Sequence, residues 1–140
     1  LILHEIQDRH TEDHYITDEE IAETAKYLDL PLSAGDGIAT FYTMFSRKPR
    51  ERYVIRLCDS LSCRICGSLD VYYYLQTMLG VGNGETTRDG VFSLEIVNCL
   101  GCCDTAPNML INNDLYSGLE PSGVEELMNK LYTEAKTWKQ

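Results

Sequence analysis

Six cysteines constrain this 140-residue chain more than any other feature, because they fall in two tight groups. The first is Cys58-Asp59-Ser60-Leu61-Ser62-Cys63, a C-x4-C spacing with Cys66 three residues on. The second is Cys99-Leu100-Gly101-Cys102-Cys103, a C-x3-C spacing with one cysteine inside it. Each group follows a stretch that reads as a strand: Tyr53-Val54-Ile55-Arg56-Leu57 runs into Cys58, and Phe92, Leu94 and Ile96 alternate with Ser93 and Glu95 before Cys99. Two neighbouring strands of one sheet would deliver both loops to the same edge. Four thiolates gathered there can hold zinc or an iron–sulfur cluster. The wide loops suit iron–sulfur better. Bridging sulfides need backbone N–H donors, and Gly101 lets the main chain approach without a Cβ, as Gly67 does beside the first pair. A structural zinc site remains open. So does a thiol–disulfide enzyme, for which Cys63-Arg64-Ile65-Cys66 is the candidate.

The bulk properties narrow the setting. Net charge is −10, which leaves nothing to neutralise phosphates and argues against nucleic acid. Apolar residues make up 44%, enough for a real core, yet no run approaches the ~18 needed to span a membrane. No secretion signal is visible, so the cysteines read as ligands in a reducing cytoplasm rather than as disulfides. The chain opens on Leu1, and Leu1, Leu3 and Ile6 read as the end of a helix; the expectation is a chain whose beginning is missing.

Residues 1–46 read as helical. Thr17-Asp18-Glu19-Glu20 fits a capping box, with Ile16 and Ile21 at the staple positions. Leu30-Pro31 breaks the run. Ser33 and Asp36 suggest a second cap, and Ile38, Phe41, Tyr42 and Phe45 form a packing stripe for this chain or for a partner. Residues 47–52 form a charged linker containing Pro49. Residues 53–140 then read as strand, helix (Leu69 to Leu79), strand, hairpin (Met109-Leu110-Ile111 and Leu115-Tyr116) and a closing helix with a Ser122–Glu125 capping box. That order suits a small sheet with helices on its faces. Gly80-Val81-Gly82-Asn83-Gly84 lacks the placement of a nucleotide fingerprint and reads as a loop.

Asp89-Gly90-Val91-Phe92-Ser93, then five residues, then Cys99-Leu100-Gly101-Cys102-Cys103-Asp104-Thr105-Ala106-Pro107 resembles the signature of the [2Fe–2S] subunit of NADH dehydrogenases. This is the small peripheral subunit of complex I, with relatives in NAD(P)-linked hydrogenases and formate dehydrogenases. The first cysteine pair with Gly67, and Gly37-Ile38-Ala39-Thr40-Phe41-Tyr42 preceded by Leu30-Pro31, match it too. The resemblance implies an α/β (α+β) chain: a helical amino-terminal docking region followed by a thioredoxin-like [2Fe–2S] ferredoxin domain. It implies one cluster held by Cys58, Cys63, Cys99 and Cys103. It further implies electron transfer beside the flavin of a larger oxidoreductase, with no catalysis by this chain alone. FMN and NAD(P) would lie on a partner subunit, further iron–sulfur subunits would complete the complex, and nothing would insert in the membrane. The parent complex stays open. Cys102 stands where many relatives have alanine, and Cys66 is extra; both are expected to be bystanders. Asp59, Ser60, Ser62 and Thr105 are expected either to tune the cluster or to cap loops. His4, His10 and His14 read as surface groups, Tyr72-Tyr73-Tyr74 as packing, and Trp138 as a terminal anchor.

Overall fold

The structure is a computed structural model and describes residues 2–10, 14–42 and 44–138. The chain divides into two compact units, Leu1–Arg52 and Tyr53–Gln140.

The first unit is helical: α1 (Ile2–Arg9), α2 (Asp18–Tyr27) and α3 (Leu32–Phe41). The expected capping box opens α2. Glu20 N–H donates to Thr17 Oγ1 at 3.2 Å, and Thr17 N–H donates to Glu20 Oε2 at 2.8 Å. His10 adds a contact to the same carboxylate at 3.0 Å. Ile16 and Ile21 are both buried, with Leu3, Ala39, Ile6 and Phe45 around them. Gln7 is buried too, and it ties α1 to the segment after α3: its Nε2 donates to Met44 O and its Oε1 accepts from Ser46 N–H. The second cap differs from expectation. Pro31 is the N-cap of α3, so Ser33 and Asp36 lie inside the helix. A proline fixes the entry φ and has no N–H to satisfy, which moves the start upstream of the serine. The stripe on α3 also divides. Phe45 packs against the buried cluster, whereas Ile38, Phe41 and Tyr42 are exposed and Ala39, outside the stripe, is the buried residue of α3.

The second unit runs β1 (Tyr53–Cys58), α4 (Leu61–Ile65), α5 (Ser68–Leu79), β2 (Glu85–Thr86), β3 (Phe92–Val97), a short 3-10 turn (Cys103–Thr105), β4 (Met109–Ile111), β5 (Asp114–Tyr116) and α6 (Pro121–Trp138). The sheet order is β2-β3-β1-β4-β5, with β1 and β3 parallel and the other pairs antiparallel. A parallel pair needs a long crossover, and α4 with α5 supplies it. Ile55 and Leu57 share a face of β1 by the two-residue alternation of a strand. With Phe92, Leu94, Met109 and Ile111 they form one buried cluster with Val71 and Leu75 of α5 and Val124, Met128 and Leu131 of α6. Tyr72 and Tyr74 pack against it, as expected, but Tyr73 points to the other side of α5 and is exposed. On the other face of the sheet, Arg56 and Glu95 stand opposite in register and pair at 3.5 Å.

Mixed α/β architecture, with helices preceding the sheet, is therefore as anticipated. Three details differ. The helix α4 and the strand β2 were not anticipated. Pro121 occupies the first position of α6, where its missing N–H is harmless, so Ser122 is inside the helix rather than its cap. The glycine stretch is a loop, as expected: Gly80 closes α5 in a left-handed conformation, φ 68°. Trp138 ends α6, but its side chain lies outside the described residues. Among the described residues no helix is long and apolar enough to cross a membrane.

Candidate metal centre

The register of the sheet brings the two cysteine loops together. Cys58 is the last residue of β1 and stands opposite Val97, the last residue of β3. Both strands leave the sheet at one edge. The strand β4 runs the other way and enters at that edge: Met109 pairs with Leu57, and Asn108 O accepts from Cys58 N–H at 3.0 Å.

The first loop is built on a short helix. Cys58 and Cys63 are each only 1% exposed. Asp59 N–H donates to Val97 O at 3.0 Å, which ties the loop to the end of β3. The Asp59 carboxylate accepts from Arg64 Nε at 2.7 Å and Arg64 Nη2 at 2.8 Å. Ser60 precedes α4, Cys63 lies within it, and Cys66 follows it, exposed. Gly67, at φ 96°, then turns the chain into α5.

The second loop is open. Cys99 and Cys103 are exposed, with their sulfurs 3.3 Å apart. Gly101 N–H donates to Cys99 Sγ at 3.3 Å. Gly101 has φ 83°, and a Cβ built there meets nothing within 4 Å. Its need for glycine is therefore conformational rather than a matter of space. Cys102 is half-buried, and its thiol faces Leu100 O at 3.9 Å.

The four thiols act on one another. Burial pushes the Cys58 thiol up, but donors outweigh it and hold it below the usual thiol range: Ser60 N–H, Ser60 hydroxyl, the Cys63 thiol and Leu100 N–H. Burial pushes the Cys63 thiol up, and the Cys58 and Cys103 charges add to this against the Asn108 N–H. The Cys103 thiol is raised by its hydrogen bond to Cys99 and by the Cys99 charge, with burial and Cys58 in the same direction and the Ser62 hydroxyl opposing. Cys66 and Cys102 are not partners in these interactions. Deprotonating all four would pack negative charge onto one edge, which only a cationic group among them would relieve.

The donors round the sulfurs are thus Ser60, Ser62, Leu100, Gly101 and Asn108. Ser60 and Ser62 do face the thiols. Thr105 and Asp59 hold loop structure instead: the Thr105 hydroxyl, with one proton to give, lies 3.1 Å from Asn108 Oδ1, 3.1 Å from Cys102 O and 3.2 Å from Ser117 Oγ. Asn108 and Leu100 were not singled out in the sequence. Their contribution is largely main-chain, which side-chain identity does not advertise. Among the described residues, no three or more His, Cys, Asp or Glu side chains close on a point that would hold a single ion. The thiols stand as two pairs, Cys58 with Cys63 and Cys99 with Cys103. Acceptor sulfurs ringed by N–H and O–H donors fit an anionic sulfide-bridged group as well as the irons it contains.

Comparison with known proteins points the same way. Residues 1–132 match the family model described as thioredoxin-like [2Fe–2S] ferredoxin. A NADH-quinone oxidoreductase subunit from Pseudomonas aeruginosa is 41% identical over 114 residues, which is 81% of this chain and 69% of that protein. The protein of the same name from Aquifex aeolicus is 36% identical over 130 residues, 93% of this chain and 79% of that one. A solved NAD+-reducing [NiFe]-hydrogenase in the H2-reduced state superposes with a TM-score of 0.74 at 25% identity. The match covers 94% of this chain but only 22% of the hydrogenase chain.

Proposed function

Because this chain belongs to the thioredoxin-like [2Fe–2S] ferredoxin family, we propose that it is the electron-transfer subunit of a multi-subunit NAD(P)H-linked oxidoreductase, holding one [2Fe–2S] cluster on Cys58, Cys63, Cys99 and Cys103. The observation that carries this reading is the meeting of two thiol pairs, ringed by donors, at the edge where β1 and β3 end. When bound, the cluster supplies a centre that takes up and releases one electron at a time.

The chain's own residues supply the rest. Cys58 and Cys63 hold the buried side, and Cys99 and Cys103 the exposed side, so the site has one face toward the core and one toward a partner. Ser60, Ser62, Leu100, Gly101 and Asn108 direct N–H and O–H dipoles at the sulfurs. Such donors favour negative charge and raise the reduction potential of a group bound there. Cys66 and Cys102 are bystanders. FMN and the NAD(P) site belong, in this reading, to a partner subunit against which the exposed pair docks, and further iron–sulfur subunits accept electrons beyond it. The relatives in NADH-quinone oxidoreductase and NAD+-reducing hydrogenase support that assembly. The complex works in the cytoplasm, where reducing conditions keep the thiols free for loading.

The test is optical. The purified chain, reconstituted with iron and sulfide, should be brown, should bleach with dithionite, and should stay oxidised with NADH until a flavin-bearing partner is added. A colourless protein that takes up one zinc and no sulfide would replace this reading with the structural zinc module. Rapid bleaching by NADH in a flavin-free preparation would reject the division of labour.

A further inference from the structure

Asn108 lies where the three segments of the site meet, and it is 1% exposed. Its main chain is already committed: the carbonyl accepts from Cys58 N–H at 3.0 Å, and the N–H donates to Cys63 Sγ. Any residue but proline could make those bonds. The side chain makes different ones. Asn108 Nδ2 donates to Cys102 O, and Asn108 Oδ1 accepts from Thr105 Oγ1 at 3.1 Å. A carbonyl oxygen only accepts, so the amide nitrogen must face Cys102. A buried amide is costly when left unbonded, so this side chain depends on those two partners rather than on the apolar core. Both partners belong to the loop that carries Cys99 and Cys103. One residue thus grips the first cysteine pair with its main chain and the second cysteine loop with its side chain.

We propose that Asn108 is a positioning residue, whose amide locks the Cys99–Cys103 loop onto the end of β1 and fixes how the exposed thiol pair faces Cys58 and Cys63. This rests on the [2Fe–2S] reading above. The loop's other ties are Leu100 N–H to Cys58, the Ser62 hydroxyl to Cys103 and Gly118 N–H to Thr105 O at 2.8 Å, and none of them reaches the Cys102 carbonyl beside the exposed pair. Without the amide, the Cys102 carbonyl keeps only bonds from within its own loop, such as that from Thr105 N–H at 3.1 Å, while β1, β4 and the main-chain bonds of residue 108 stay in place.

The experiment uses the full chain loaded with its cluster. Asn108→Ala removes the side-chain bonds, and Asn108→Leu removes them while keeping the volume. Val124→Ala serves as a control, since it weakens the core on α6 without touching the site. Three things are measured: release of iron to a chelator, the EPR spectrum of the dithionite-reduced protein, and the midpoint potential. Both Asn108 variants should release iron about tenfold faster or more, in line with losses of outer-shell support at metal sites, and should show shifted g-values and potential. Val124→Ala should melt at lower temperature with an unchanged spectrum and potential. A folded Asn108 variant that cannot retain the cluster also supports the proposal. Asn108 variants that resemble Val124→Ala in every readout overturn it, as does the unfolding of both, which would make the residue merely structural. A wild-type chain that takes up no cluster would instead defeat the functional reading itself.

Discussion

Cys58 and Val97 stand opposite one another on the last rung of the parallel β1–β3 ladder. Two residues beyond Val97 the chain reaches Cys99, so thiols far apart in sequence leave the sheet at one level. The site is thus a consequence of strand register. A one-residue slip would turn every side chain of β1 to the opposite face.

The cysteine set gives the first prediction. Cys58→Ser, Cys63→Ser, Cys99→Ser and Cys103→Ser should each lose most bound iron and sulfide, while Cys66→Ser and Cys102→Ser should retain it. Iron and sulfide analysis of the six variants is sufficient. Retention in Cys103→Ser with loss in Cys102→Ser would overturn the assignment.

Gly101 makes a different demand. Because its φ is 83° and nothing crowds a Cβ, the penalty of substitution is backbone strain of about 1–2 kcal/mol. Asn tolerates this conformation better than a β-branched residue. Iron content should therefore fall in the order wild type, Gly101→Asn, Gly101→Val, with the far-ultraviolet spectrum unchanged. Equal loading in all three would remove the conformational argument.

The helical unit should be dispensable for the cluster and needed for assembly. Ile38, Phe41 and Tyr42 expose apolar surface on α3, and residues 53–140 have a core of their own. A chain starting at Tyr53 should still turn brown but should co-purify poorly with the flavin-bearing subunit. Undiminished co-purification would deny residues 1–52 a docking role.

The Thr17–Glu20 box makes stability depend on acid. Burial raises the Glu20 carboxyl, but Thr17 N–H, His10 and the Thr17 hydroxyl outweigh it and leave it below its ordinary value of 4.5. The stabilisation it brings is therefore complete above that value and is lost as pH falls through the lower, folded one. Thr17→Ala should cost about 1 kcal/mol near neutrality and much less in acid. Urea unfolding of the chain at both pH values checks the difference.

How much of this was legible in the sequence depends on the range of each interaction. Period-two alternation marked β3, the run Tyr53-Val54-Ile55-Arg56-Leu57 marked β1, and each led straight into a cysteine group. The Thr17–Glu20 box was legible because both partners lie within one turn. The false caps at Ser33 and Ser122 share a cause: a proline just upstream starts each helix earlier. The helix α4 is too short, at five residues, to show a period. Asn108 was invisible because its partners come from Cys58, Cys63, Cys102 and Thr105, and only the folded sheet edge makes them neighbours.

The crossover between β1 and β3 also has a topological meaning. A group held by both thiol pairs would bridge Cys63 and Cys99, closing a covalent ring around α5, β2 and β3. Tying the unfolded chain at those points would remove conformational freedom worth roughly 4 kcal/mol by chain-entropy reasoning. Cluster loading would then act as a cross-link as well as a redox centre. Oxidative loss of the iron would open the ring and leave the same sheet with a larger denatured ensemble to compete against.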